Sequence, residues 1–178
     1  MSYKNKTYII FDADNDMTDY RLMTAWKENK KIDFNFHNAH DVYSVNKNHM
    51  DKLRALDKKE GTSREETYIK GKLKERLNDT KQVLVLVGDS TKDLYKYVRW
   101  EIEVAINMDI PIIAVNLNKV NEAHAKTPPI LKKEAYFVSV PYEVKKIKYA
   151  LDNFPSEYHR KKTEAPSSRT YDWSKISL

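Results

Sequence analysis

The sequence predicts a doubly wound α/β domain of about five parallel strands with helices on both faces, and three observations carry that expectation. Val83-Leu84-Val85-Leu86-Val87 is apolar at five consecutive positions, as a strand covered on both faces of a parallel sheet must be. Other short apolar runs, at residues 6–11, 111–115 and 135–140, alternate with stretches of helical periodicity. The chain has 178 residues, 40 % of them hydrophobic, which suffices for one domain with a real core but not for two.

Taken in order, Lys6 to Phe11 reads as a buried strand that ends in the polar turn Asp12-Ala13-Asp14-Asn15-Asp16. Asp16 is placed to cap a helix whose one face carries Leu22, Met23 and Trp26 and which ends near Lys30. Ile32, Phe34 and Phe36 alternate with Asp33 and Asn35, the pattern of a half-buried second strand. Residues 38–62 lack periodicity and read as a long loop, a feature that in compact domains tends to carry function. Ser63-Arg64-Glu65-Glu66 is a capping box, after which Ile69, Leu73 and Leu77 recur at helical spacing up to Asn78. Following the strand at 83–87, Thr91 opens a helix with Leu94, Val98, Ile102, Ala105 and Ile106 as its buried stripe. Pro111–Val115 and Ala135–Val140 are further strands, and Tyr142–Phe154 a last helix. The expected division is one domain over 1–154 and a polar tail over 155–178, its end docked through Tyr171 and Trp173. A flavodoxin-like strand order would bring the turn at 12–16 beside Gly88-Asp89-Ser90-Thr91, where ligands bind in such sheets.

Composition narrows the function. There is no cysteine, so disulfides, thiolate metal sites and cysteine nucleophiles are excluded. Three glycines, Gly61, Gly71 and Gly88, cannot build a Rossmann fingerprint or a Walker loop. The net charge of +6 is concentrated late: residues 119–178 carry 12 basic and 7 acidic side chains, against 20 and 19 before them. That is a basic solvated C-terminal surface without the stripe of a nucleic-acid binder. The apolar run before Asp12 is too short for a signal peptide or a membrane span, so a cytoplasmic protein without membrane partners is expected. His37 and His40 have no third ligand at a suitable spacing, and no metal site is expected there.

One carboxylate stands out. On the helix opened by Thr91, Glu101 lies about 70° from the centre of the apolar stripe and Glu103 about 130°. Glu101 therefore borders the core, one turn after Tyr97, while Glu103 points to water. Such boundary glutamates are usually surface charges beside a core. A carboxylate so placed can instead have its orientation set by the protein.

The segments Val85-Leu86-Val87-Gly88, Tyr97-Val98-Arg99-Trp100-Glu101-Ile102 and Ile110-Pro111-Ile112-Ile113-Ala114-Val115 resemble the TIR-like family. The nearest likeness is to the anti-phage Thoeris signalling proteins of the ThsB type. The likeness covers roughly residues 7–117 and includes Phe36-His37-Asn38-Ala39-His40-Asp41. Where the family usually has Trp four residues before the Glu, this chain has Tyr97, with Trp100 next to the Glu. The resemblance implies cleavage of NAD, as substrate and not cofactor, at the nicotinamide–ribose bond. It implies a cyclic ADP-ribose-type product that reaches a separate effector protein, a phage-derived trigger, and self-association into a homo-oligomer. Glu101 would be the catalytic residue. Asp12, Asp14 and Asn15 would line the dinucleotide pocket, with Asp41 and Ser90 as ribose contacts and Tyr97 as a wall. Asp14 and Asp16 have a competing explanation as helix caps.

Two other readings remain open at the level of sequence. Ile9-Ile10-Phe11-Asp12-Ala13-Asp14 and Gly88-Asp89-Ser90-Thr91-Lys92-Asp93 resemble the first and last motifs of haloacid-dehalogenase-type phosphatases. Asp12 would then be the nucleophile, Asp14 the acid/base, and Asp89 and Asp93 the magnesium ligands. Against this, Asn15 stands where a glycine is usual. The third reading is a TIR-like scaffold that signals by self-association without catalysis.

Overall fold

The computed structural model describes residues 7–34, 63–93, 97–164 and 166–178. Among these, five strands form one all-parallel sheet in the order β1-β2-β3-β4-β5: Thr7–Ile10, Gln82–Val87, Ile112–Asn116, Tyr136–Pro141 and Ser167–Arg169. The described residues also form five α-helices: α1 Met17–Glu28, α2 Ser63–Asn78, α3 Tyr97–Asn107, α4 Pro129–Glu134 and α5 Val144–Lys161. The fold is α/β, of the flavodoxin-like and TIR-like kind.

The strands are apolar on both sides because both sides are covered. Tyr8, Ile10, Val83, Val85 and Ala114 face α2, α3 and α4. Ile9, Leu84, Leu86, Val115 and Val138 face α1 and α5. β1 pairs directly with β2, with Ile10 opposite Val85. The turn at 12–16 and the turn at 88–91 therefore emerge side by side at the carboxyl edge.

Three segments differ from the sequence-based expectation. Residues 32–34 form no strand: Ile32 N–H is donated to the Asn29 carbonyl and Phe34 N–H to the Ile32 carbonyl, local turn bonds that use the groups a ladder needs. Phe34 is buried edge-on against Trp26, at 5.9 Å between ring centres. The remainder of that expected strand and the loop over 38–62 lie outside the described residues, as do His37, His40 and Asp41. The helix expected from Thr91 begins as a single 3-10 turn over Thr91–Asp93, and α3 follows from Tyr97.

The expected boundary at residue 154 falls inside α5, which runs on to Lys161. Residues 167–169 then add β5 beside β4. Beyond them Tyr171 and Trp173 pack on Tyr149 of α5, at 5.1 and 5.9 Å between ring centres. The Trp173 indole N–H is donated to Asn121 at 2.6 Å, and the Asn121 amide is donated to the Tyr171 carbonyl at 3.1 Å. The chain end thus braces the loop that follows β3.

Candidate functional site

Two separate groups of polar side chains stand out, and the sequence-predicted residues divide between them. The first lies at the carboxyl edge. Asp12, two residues beyond β1, accepts hydrogen bonds from Ser90 Oγ at 2.5 Å, from Asn15 Nδ2 at 2.6 Å and from the Asp14 N–H at 2.9 Å. Asn15 also donates to Ser90 Oγ at 3.1 Å. Burial pushes the Asp12 carboxyl up, but the donors from Ser90, Asn15 and Asp14 outweigh it and hold the group below the usual carboxylate range. Asp12, Asn15 and Ser90 therefore form one knot, while the Asp14 side chain is exposed.

Asp16 occupies the N-cap position of α1, yet its side chain makes no cap hydrogen bond. It turns instead beneath Gly88, where a Cβ would collide with Asp16 Oδ1. Glycine is required there because the carboxylate occupies the space a side chain would need. Burial, followed by the neighbouring charges of Asp12 and Asp19, pushes the Asp16 carboxyl up to about 6. The capping role expected for Asp16 is one of position only.

Across from this knot is the loop after β3. The buried Asn116 fixes that loop by donating to the carbonyls of Val120 at 2.7 Å and Glu122 at 3.0 Å. Between the two walls is a cleft of about 530 Å³, lined among others by Asp16, Gly88, Ser90, Asn118, His124 and Lys126. The Lys126 ammonium pairs with Asp89, whose carboxyl it holds below the usual range. Burial, and then the charges of Lys132 and Lys126, lower the His124 pKa.

The second group is built around Glu101. The residue is 8 % exposed, deeper than its calculated place at the stripe edge, whereas Glu103 is exposed as the helical geometry requires. The reason is a partner on β1: the Tyr8 hydroxyl donates a short hydrogen bond to Glu101 Oε1. Arg76 of α2 hydrogen-bonds the same hydroxyl, and its charge acts on Glu101. Burial, then the Glu101 charge and hydrogen bond, push the Tyr8 hydroxyl well above its ordinary pKa, so it remains a donor. Burial lowers the Arg76 pKa, opposed by Tyr8 and Glu101. A hydroxyl donor and a guanidinium are what an ionised carboxylate needs when buried. Next to it, Trp100 lies under the Lys70 ammonium, 5.6 Å from the ring centre.

Glu101 is not among the described residues that line the carboxyl-edge cleft. Tyr97 begins α3, its side chain lying outside the described residues, as does Asp41. The phosphatase arrangement is not assembled. Asp12, Asp14, Asp89 and Asp93 are all described, and among the described residues no three carboxylates or imidazoles come together to hold a metal ion. Asp12 is instead committed to Ser90 and Asn15, and Asp89 to Lys126. Among the described residues no helix is long and apolar enough to cross a membrane.

Sequence reasoning missed Tyr8, Arg76, His124 and Lys126. Tyr8 carried a signal, as a hydroxyl inside an otherwise apolar strand. Arg76 is a polar position of the helix after the capping box, His124 and Lys126 belong to a loop without a motif, and only the packing of separate elements brings them to the sites.

No curated protein matches the chain. A family model described as "Thoeris protein ThsB, TIR-like domain" matches residues 8–122. The match runs from β1 to the loop after β3 and takes in both Glu101 and the turns at 12–16 and 88–91. The chain belongs to the Thoeris ThsB TIR-like family.

Proposed function

We propose that this TIR-like protein cleaves NAD at the nicotinamide–ribose bond, with Glu101 opposing the positive charge that develops on the ribose. The observation that carries the reading is the state of Glu101: a carboxylate buried on α3 and held by Tyr8 and Arg76 from two other elements. The likeness of Tyr97–Ile102 to the family's aromatic-x-x-x-Glu-Ile segment supports the same choice. The chemistry suits one fixed carboxylate. The bond between the ribose anomeric carbon and the pyridinium nitrogen breaks, and its electron pair returns to the ring, so nicotinamide leaves neutral and needs no proton. The ribose becomes oxocarbenium-like, and a carboxylate beside it lowers the barrier by electrostatics. Capture by an adenine nitrogen gives a cyclic ADP-ribose-type product, and capture by water gives the linear one. In the proposed setting, anti-phage defence, a phage-derived trigger switches the enzyme on and the cyclic product carries the signal to a separate effector.

The experiment is to incubate the purified chain with NAD, with and without extract of phage-infected cells, and to separate the products by chromatography with mass detection. Nicotinamide and a cyclic or linear ADP-ribose product in equal amounts support the reading. NAD left intact under both conditions contradicts it. One observation favours a second reading, a non-catalytic scaffold acting by self-association. The Tyr8–Glu101–Arg76 group ties three elements together, as a structural strut would. Intact NAD together with concentration-dependent oligomers in sedimentation would establish that reading.

A further inference from the structure

We propose that the pocket between α3 and α4 docks an acidic segment of a partner protein, which seats one apolar side chain in it. The proposal stands whether or not the chain cleaves NAD. Glu101 turns toward Tyr8 on β1 and Arg76 on α2. Arg99, which lines the pocket, lies about 160° from Glu101 around α3.

The pocket joins an apolar floor to a charged rim. Val98 of α3 and Ile130 of α4 line it, and Pro128 and Pro129 close one side. Its volume of about 150 Å³ is that of a cavity able to hold one benzene ring, so a single Phe or Leu side chain fills it. The walls are set in advance. Thr91 Oγ1 accepts the Gly88 N–H at 2.8 Å and donates to the Leu86 carbonyl at 3.3 Å, which fixes one corner. The two proline rings lock the backbone at another. Walls already ordered cost little further entropy when a partner binds.

Three exposed cations stand around this floor: Lys92, Arg99 and Lys133. They come from three different elements, the 3-10 turn at 91–93, α3 and α4. None of the three is ion-paired with a carboxylate among the described residues. Glu134 is the one carboxylate among the described lining residues, so three positive charges against one negative leave the lining at a net +2. Cations gathered without partners repel one another, and an acidic ligand relieves that repulsion. The excess of basic residues over 119–178 has the same sign and steers such a ligand inward. An apolar anchor in a preformed pocket, with charged contacts at its edge, is how short acidic segments are held. A nucleic acid fits less well, because its phosphates leave the apolar floor unused and these cations form no extended stripe.

The test is a titration of the full chain, carrying isotope-labelled Ile, Leu and Val methyl groups, with the capped peptide Asp-Glu-Phe-Glu-Asp, followed by NMR. Saturable shifts at the Val98 and Ile130 methyls are expected, with a Kd of about 10–500 μM. Replacing Phe in the peptide by Ala should weaken binding about tenfold or more, through the lost apolar burial. Replacing its acids by Asn and Gln should weaken binding to a similar degree. Arg99→Glu should weaken it about tenfold, while Glu134→Gln should tighten it about twofold by removing the opposing charge. Four results would each overturn the proposal. They are no methyl shifts at millimolar peptide, shifts that avoid Val98 and Ile130, equal binding of either control peptide, and tighter binding of a short DNA duplex at the same methyls. The peptide comparison uses the unaltered protein, so its outcome does not depend on how any variant folds.

Discussion

Asp16 is a buried carboxyl that the folded protein keeps at a cost in stability. Its carboxyl is raised from the ordinary 3.8 to about 6, so the folded state holds the proton more tightly than the unfolded chain does. The stabilisation this gives the protonated form is full below pH about 4 and is lost as pH rises through about 6. Asp16→Asn should therefore be more stable than the unaltered protein at pH 7, by about 1–3 kcal/mol, with a flatter stability profile between pH 4 and 6. Urea denaturation at pH 4, 5, 6 and 7 checks both statements. Gly88 is bound to the same carboxylate. Gly88→Ala drives a methyl group into Asp16 Oδ1 and should cost about 1–3 kcal/mol as overpacking. Most of that loss should disappear when Asp16 is also changed to Ala, a non-additivity that a double-mutant cycle reads directly. Tyr8→Phe removes the donor to Glu101 and leaves a buried carboxylate short of a partner. It should destabilise the fold by about 1–3 kcal/mol, measured by the same urea titration.

Among the elements, α3 shows what periodicity can and cannot reveal. Its 100° geometry separates exposed Glu103 from the core side and puts Glu101 at the border. It cannot say that Tyr8 on β1 reaches across to Glu101, because that contact depends on how the helix is laid over the sheet. The C-terminal segment shows the reverse. Prolines and serines make residues 155–178 look like a tail, yet Pro155 lies within α5 and residues 167–169 are held as β5 by the edge of β4. Edge pairing of so short a strand leaves no pattern in the sequence. The segment braces the loop after β3 through Trp173, Asn121 and Tyr171. Trp173→Ala should lower stability by about 1–3 kcal/mol, through lost ring packing and one hydrogen bond. Urea denaturation measures the effect.

Across the whole molecule, the architecture was largely legible because a parallel sheet covered on both faces needs continuous apolar strands. Those of β2 and β3 are unmistakable. Adjacency of the 12–16 and 88–91 turns followed from the strand order alone, and the pairing of β1 with β2 brings Asp12 to Ser90. The opposite wall of the cleft was not legible. His124 and Lys126 belong to a loop without a motif, positioned by the buried Asn116 and the chain end. The proposed catalysis rests on Glu101, and one comparison decides its role. Nicotinamide release from NAD is measured for the unaltered protein, Glu101→Gln and Glu103→Gln, all with extract of phage-infected cells. Removal of the charge that opposes the oxocarbenium should slow release about 100- to 1000-fold in Glu101→Gln. Exposed Glu103→Gln should stay within about twofold of the unaltered protein. Equal rates for the two variants, or release by Glu101→Gln at the unaltered rate, would overturn the assignment of Glu101.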